Sequence, residues 1–214
     1  MENRESESDA RHFAPPGFDV PIPHSPFPIP GSMPYSHLND YPAEIRERAA
    51  RVRLACFDVD GTLTDGRLIY DSEGRELKCF HVQDGQGLAL LRRFGVAVHF
   101  VTARGGLIAA QRAAELGATA HGDVADKLAC VGEIAAGLGL TLDQVAFMGD
   151  DLADLRVLPH VGLSVAPANA HPWVRERVHW RTVARGGEGA ARELCDLLLG
   201  AQGHAEQALA GALG

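Results

Sequence analysis

From residue 43 onward the chain alternates between two hydrophobic periods. Short apolar runs at 52–59, 97–103, 145–148 and 162–165 have the length and bulk of buried strands. Segments 85–94, 107–116, 126–138, 152–158 and 189–199 instead space apolar residues three and four apart, as a helix packed on one face does. AEIRERAARV, at 43–52, is expected as a short leading helix, and Thr141 with Gln144 as a capping box on one turn before the strand at 145. Continuous apolar strands alternating with helices predict an α/β domain, a Rossmann-like parallel sheet with helices on both faces. One segment breaks the alternation. RLIYDSEGRELKCFHV, at 67–82, reads as two strands around Asp71-Ser72-Glu73-Gly74, a β-hairpin after the first strand.

Composition divides the chain further. Nine of the twelve prolines lie between Pro15 and Pro42. Proline removes backbone donors and blocks helix, so residues 1–42 are expected to form an extended or disordered arm. The folded domain is expected over 43–203, with 204–214 a flexible tail. Acidic side chains outnumber basic ones 28 to 20, a net charge of −8, which argues against a nucleic-acid partner. A small anionic substrate stays open, because local charge decides that. No apolar run reaches the length of a membrane span, and MENRESESDAR lacks the apolar core of a signal peptide, so a cytoplasmic protein is expected. Cys56, Cys79, Cys130 and Cys195 form no C-x-x-C pair and read as reduced thiols rather than a zinc site. His81 and His99 fall in expected strands and read as packing or surface residues.

The candidate chemistry lies at the strand ends. CFDVDGTLTDG runs from an apolar strand into Asp58 and Asp60, then turns on Gly61. Burying ionised carboxylates is costly unless a cation or hydrogen bonds compensate them. In an open parallel sheet, ligands bind outside the carboxyl ends of the strands. The next ends supply Thr102, then Asp150, Asp151 and Asp154 in GDDLAD, with Lys127 at an expected helix start between them. Carboxylate oxygens grouped in this way suit Mg2+. Asp58, ionised beside Mg2+ and Lys127, is a candidate nucleophile on phosphorus. Asp60 is a candidate general acid and then base. Thr102, Lys127 and backbone N–H groups at the following helix start are candidates for holding phosphoryl oxygens.

D-x-D-G-T at 58–62, Thr102, Lys127 and G-D-D-x-x-D at 149–154 resemble the four motifs of the haloacid dehalogenase superfamily. The resemblance implies an aspartyl-phosphate mechanism, with Mg2+ held by Asp58, the backbone carbonyl of Asp60, and Asp150. It gives Asp154 a supporting role that can reach the metal through water. The spacings Asp58–Thr102, Thr102–Lys127 and Lys127–Asp150 are 44, 25 and 23 residues, which leave no room for a separate cap domain.

DVDGTLTDGRLIYDSEGRELKCFHVQDGQG, LSVAPANAHP and GGEGAARELCDLLL are similar to the 3-deoxy-D-manno-octulosonate 8-phosphate (KDO 8-phosphate) phosphatases, from about residue 53 to 203. That likeness implies a capless homotetramer in which a neighbouring subunit closes the site and the products are KDO and phosphate. Two positions depart from the family pattern: Gln83 and Glu188 stand where arginine is usual. Their loss removes donors suited to a sugar-acid carboxylate, with Lys78 and Arg104 remaining as cationic candidates. A nine-carbon sialic-type 9-phosphate or another phosphorylated metabolite is the alternative substrate, and a non-catalytic scaffold the alternative class.

Overall fold

The computed structural model describes residues 41–213. The expected Pro-rich arm lies outside these residues, apart from Tyr41 and Pro42. The chain enters through Ala43–Arg51 (α1), with Glu44 in its first turn and Arg48 and Arg51 in its last, each favourable to the helix dipole. Then follow Leu54–Phe57 (β1), Ile69–Tyr70 (β2), Glu76–Leu77 (β3), Val82–Arg93 (α2) and Ala97–Val101 (β4). Leu107–Glu115 (α3), Thr119–His121 (β5), Lys127–Gly137 (α4), Val145–Met148 (β6) and Leu163–Ala166 (β7) come next. Pro172–Arg175 (α5), Trp180–Arg181 (β8), Ala190–Ala201 (α6) and Ala205–Leu213 (α7) complete the order.

β5, β4, β1, β6, β7 and β8 form one sheet in that order, with every pairing parallel. Strand alternation divides the core between the two faces. Ala55 and Phe57 face a cluster completed by α1, α2, α3 and α6, while Leu54 and Cys56 face Val131 and Ala135 of α4. Both faces of β1 are thereby covered, which is why its four residues read as a continuous apolar run.

β1 lies between β4 and β6, where the winding of the sheet reverses, so a crevice opens beyond its carboxyl end. Register sets what enters that crevice. Phe57 is level with Phe100 and Met148, so Asp58, Thr102 and Asp150 leave three adjacent strands at one edge.

The structure differs from the expected elements in four places. Segment 152–158 is not a helix but a 3₁₀ turn at Leu152–Asp154, followed by another at Leu158–His160. The Asp154 carboxylate folds back to accept the N–H groups of Asp150 and Asp151 at 2.9 and 3.2 Å, and Pro159 removes a donor. β5, α5 and β8 were not expected, being too short for periodicity to reveal. His81 is the N-cap of α2 rather than a strand residue, and the hairpin strands are two residues each. Residues 204–214, expected as a flexible tail, carry α7. Gly203, at φ +77°, closes α6 while the His204 N–H donates to Leu199 O at 2.8 Å. The Ala-rich segment AEQALAGAL then forms a helix, with Ala205, Ala208 and Leu209 facing a groove shared with Leu90 and Leu199. Among the described residues, no helix is long and apolar enough to cross a membrane.

Candidate active site

The loop after β1 is built by its own hydroxyl groups. The N–H groups of Thr62, Leu63 and Thr64 all donate to Val59 O, and the buried Thr64 hydroxyl accepts from Gly61 N–H at 3.3 Å. Gly61 has φ +95°, and a Cβ there would lie 2.1 Å from Asp150 Oδ2. Only glycine permits both the turn and this approach. Across the crevice, the Thr62 hydroxyl donates to Asp150 Oδ1 at 3.2 Å, and Asp150 O accepts from His171 N–H at 2.8 Å. His171 thus joins the site as the N-cap of α5, its Nδ1 accepting from Trp173 N–H at 3.3 Å.

Lys127 opens α4, behind Asp126, whose side chain caps that helix through the N–H groups of Leu128 and Ala129. Its Nζ donates to Asp58 Oδ1 at 2.6 Å and to Asp154 Oδ1 at 2.5 Å. All three side chains are buried. Asp58, Asp150 and Asp154 bring carboxylate oxygens within 4.8 Å of one another. Burial, and then the Asp154 charge, push the Asp58 carboxyl up to about 6 although Lys127 pulls it down. Burial, with Asp58 and Asp154, pushes Asp150 up to about 8. Burial alone would depress the Lys127 ammonium, but Asp58 and Asp154 outweigh it and hold the group above its usual range.

Two buried carboxylates and one half-buried one, sharing a single ammonium, carry surplus negative charge and offer only hard oxygen donors. That arrangement fits a divalent magnesium ion. Asp154 already uses one oxygen on Lys127 and the other on two backbone N–H groups, so Asp58 and Asp150 have the greater freedom to bind a cation.

Asp60 sits apart from this cluster. Its carboxylate pairs with Lys78 at the base of the hairpin and lies 3.8 Å from Arg104. Glu76 joins the same two cations at 3.0 Å each; its hydrogen bond from Lys78, with the charges of Lys78 and Arg104, holds its carboxyl below the usual range despite partial burial. The second aspartate of D-x-D thus faces a basic arc while the first faces the metal-fitting cluster. Thr102 is buried and accepts from Arg104 N–H at 3.2 Å. Asp151 N-caps the 3₁₀ turn. Gln83 is exposed on the first turn of α2, and exposed Glu188 lies 3.9 Å from Arg185.

Asn169 and the Gly186-Gly187 backbone also join the site. Asn169 Oδ1 accepts from Gly186 N–H at 2.7 Å, and Gly187 N–H donates to Thr62 O at 3.1 Å, which binds the 186–189 loop to the first loop. Glycine clusters at both loops were the available signal, since backbones approach this closely only where side chains are absent. Cys56, Cys79, Cys130 and Cys195 are free thiols.

Residues 122–194 match the haloacid dehalogenase-like hydrolase family model. The chain is 42% identical over 166 residues to the 3-deoxy-D-manno-octulosonate 8-phosphate phosphatase KdsC of Yersinia pestis, covering 77% of this chain and 89% of that one. A hypothetical protein of known structure from Xanthomonas campestris is 58% identical with a TM-score of 0.81, over 83% of this chain and 98% of the other. The 3-deoxy-D-manno-octulosonate 8-phosphate phosphatase of Moraxella catarrhalis, solved with magnesium, phosphate and KDO, is 37% identical with a TM-score of 0.78, over 80% and 99%. With identity of this extent across most of both lengths, the chain belongs to the 3-deoxy-D-manno-octulosonate 8-phosphate phosphatases, within the haloacid dehalogenase-like hydrolases.

Proposed function

We propose that this protein is a Mg2+-dependent phosphoric monoester hydrolase that converts KDO 8-phosphate to KDO and phosphate. The observation that carries this reading is the convergence of Asp58, Asp150 and Asp154 to within 4.8 Å of one another, with Lys127 bonded to Asp58 and Asp154, at the edge where β1 meets β6. Kinship with a phosphatase solved with magnesium, phosphate and KDO supports the substrate.

Asp58, the Asp60 carbonyl and Asp150 hold the metal, which when bound offsets the carboxylate charge and polarises the phosphoryl oxygens. Asp58, kept ionised by Lys127, attacks phosphorus, and the bond to the sugar oxygen breaks. Asp60 delivers a proton to that oxygen, which leaves as the alcohol. Its place at the sheet edge, between Lys78 and Arg104, directs it towards the hairpin side, away from the attacking group. Asp60 then takes a proton from the water that hydrolyses the aspartyl-phosphate, which regenerates Asp58 and releases phosphate. Lys127 and Thr102 hold phosphoryl oxygens in line, and Asp154 and Asp151 keep the acidic loop in place. Lys78 and Arg104 supply the cations for the sugar-acid end, with Gln83 a neutral donor at its margin.

Without a cap, the site needs another closure. A homotetramer assembled through the hairpins supplies it in this reading, supported by exposed Leu68, Ile69, Tyr70 and Leu77. Four free thiols suit the reducing cytoplasm in which we place the enzyme.

The test is phosphate release from KDO 8-phosphate and from nine-carbon sugar-acid 9-phosphates, with and without Mg2+, by wild type and Asp58→Asn. The proposal expects Mg2+-dependent release from KDO 8-phosphate, abolished in the variant. Turnover by Asp58→Asn at the wild-type rate would overturn the mechanism. Release from the nine-carbon compounds alone would overturn the substrate.

A further inference from the structure

Asp84 is 2% exposed, yet nothing in the mechanism above uses it. It lies in the first turn of α2, and burial pushes its carboxyl above the ordinary carboxylate range. One oxygen, Oδ1, accepts from Arg192 N–H at 2.7 Å, across 108 residues of chain. The other, Oδ2, has no hydrogen-bond partner, nor has Nδ1 of His81, and both residues line a small void of about 10 Å3. A half-satisfied buried carboxylate costs stability, so this position is not explained by packing.

Its partner belongs to the start of α6. The N-cap of that helix is Gly189, at φ +105°, which has no side chain to cap it. Asp84 therefore caps α6 from another helix. The junction is tight: a Cβ on Gly87 of α2 would lie 2.9 Å from Cys195 Cβ of α6.

The residues just before this capped end touch the reacting loop. A Cβ on Gly186 would lie 1.8 Å from Gly61 O, and one on Gly187 2.5 Å from Asp65 N. Gly187 N–H also donates to Thr62 O. A continuous line of contacts thus runs from Asp84 through the first turn of α6 and the 186–189 loop to Gly61 and Thr62, which follow Asp60 directly and carry the contact to Asp150.

We propose that Asp84 is a positioning residue for the phosphoryl-transfer site: by capping α6 from α2, it presses the Gly186-Gly187 backbone onto the Gly61 and Thr62 carbonyls and fixes the Asp58–Asp60 loop. This rests on the reading of Asp58 and Asp60 as the reacting groups.

Two variants remove the same hydrogen bond from opposite ends. Asp84→Ala deletes the acceptor. Arg192→Pro deletes the donor N–H in the first helical turn, where that group has no partner within the helix and proline is tolerated. Arg192→Ala keeps the N–H and controls for the side chain, and Asp84→Asn keeps an acceptor oxygen. Each is assayed for kcat and KM at saturating Mg2+, well below its melting temperature, with the folded fraction measured by circular dichroism. Asp84→Ala and Arg192→Pro are expected to lower kcat by about tenfold or more with KM changed less than about threefold, because slight misplacement of reacting groups acts on turnover. Asp84→Asn and Arg192→Ala are expected to keep kcat within about threefold of wild type. A lowered melting temperature with wild-type kcat in both deletions would make Asp84 a purely structural residue and overturn the proposal. So would failure of both deletions to fold, or an Asp84→Asn as slow as Asp84→Ala. Wild-type enzyme inactive on every sugar phosphate would instead defeat the functional reading on which the proposal rests.

Discussion

Lys127 shows how one residue makes an otherwise unfavourable group of charges tolerable. Its ammonium bonds two buried carboxylates, and a third lies within the same cluster. Removing one member of such a buried set leaves uncompensated charge and costs about 3–5 kcal/mol. Lys127→Met is therefore expected to melt markedly lower than wild type without metal, with Mg2+ restoring part of the loss, and to release phosphate at least about a hundredfold more slowly. Calorimetry with and without Mg2+ and a phosphate assay check both parts. The same cluster sets a pH dependence. Asp58 and Asp150 have folded-state values near 6 and 8, above the ordinary 3.8, so the folded protein binds these protons more tightly than the unfolded chain. Their contribution to apo stability is fully present below about pH 4 and is lost as pH rises through 6 and 8. A cation that favours the ionised forms must displace those protons, so it binds more tightly as pH rises. The rise in melting temperature on adding Mg2+ is expected to be larger at pH 8.5 than at pH 6, and an equal rise at both would refute the assignment of Asp58 and Asp150 to the cation. These residues could be read from the sequence because each polar group ends an apolar run or starts a helix. Asp84 could not, since its meaning depends on an N–H 108 residues away.

At the scale of elements, the turn after β1 depends on a glycine that no other residue can replace. Gly61→Ala would force a methyl group 2.1 Å from Asp150 Oδ2 at φ +95°. Displacing either Asp150 or the loop separates the two halves of the site, so kcat is expected to fall by about a hundredfold, with the far-ultraviolet spectrum unchanged. Near-wild-type kcat would show that the approach of Gly61 to Asp150 is not required. The central strands were legible because burial on both faces makes them continuously apolar, and β6 falls at the expected 145–148. Segment 152–158 misled because its apolar residues recur at helical spacing while Asp154 serves as an internal clamp. Once that carboxylate turns back to Asp150, Asp151 and Lys127, two short turns satisfy the chain better than one helix. The peripheral strands β5 and β8 pair over three and two residues, stretches too short to show a period.

At the scale of the whole molecule, the hairpin is the element that the isolated chain explains least. Two strands of two residues form only a marginal unit in water, yet this one exposes Leu68, Ile69, Tyr70 and Leu77. Its base carries Lys78 and Glu76, which hold Asp60 and Arg104, so movement of the hairpin would be felt at Asp60, the proposed acid/base group. A surface that exposes apolar side chains while supporting Asp60 gains on both counts if copies of the chain bury it together. The double variant Tyr70→Asp, Leu77→Asp places charge on that surface without touching the six-stranded sheet. It is expected to sediment as a smaller species than wild type, to keep its α/β core by circular dichroism, and to lose most of its phosphate release even at saturating Mg2+. Full activity in a dissociated form would mean that one chain closes its own site. A wild-type monomer at working concentration would leave the apolar hairpin to meet the substrate alone, with Lys78 and Arg104 as its cationic contacts.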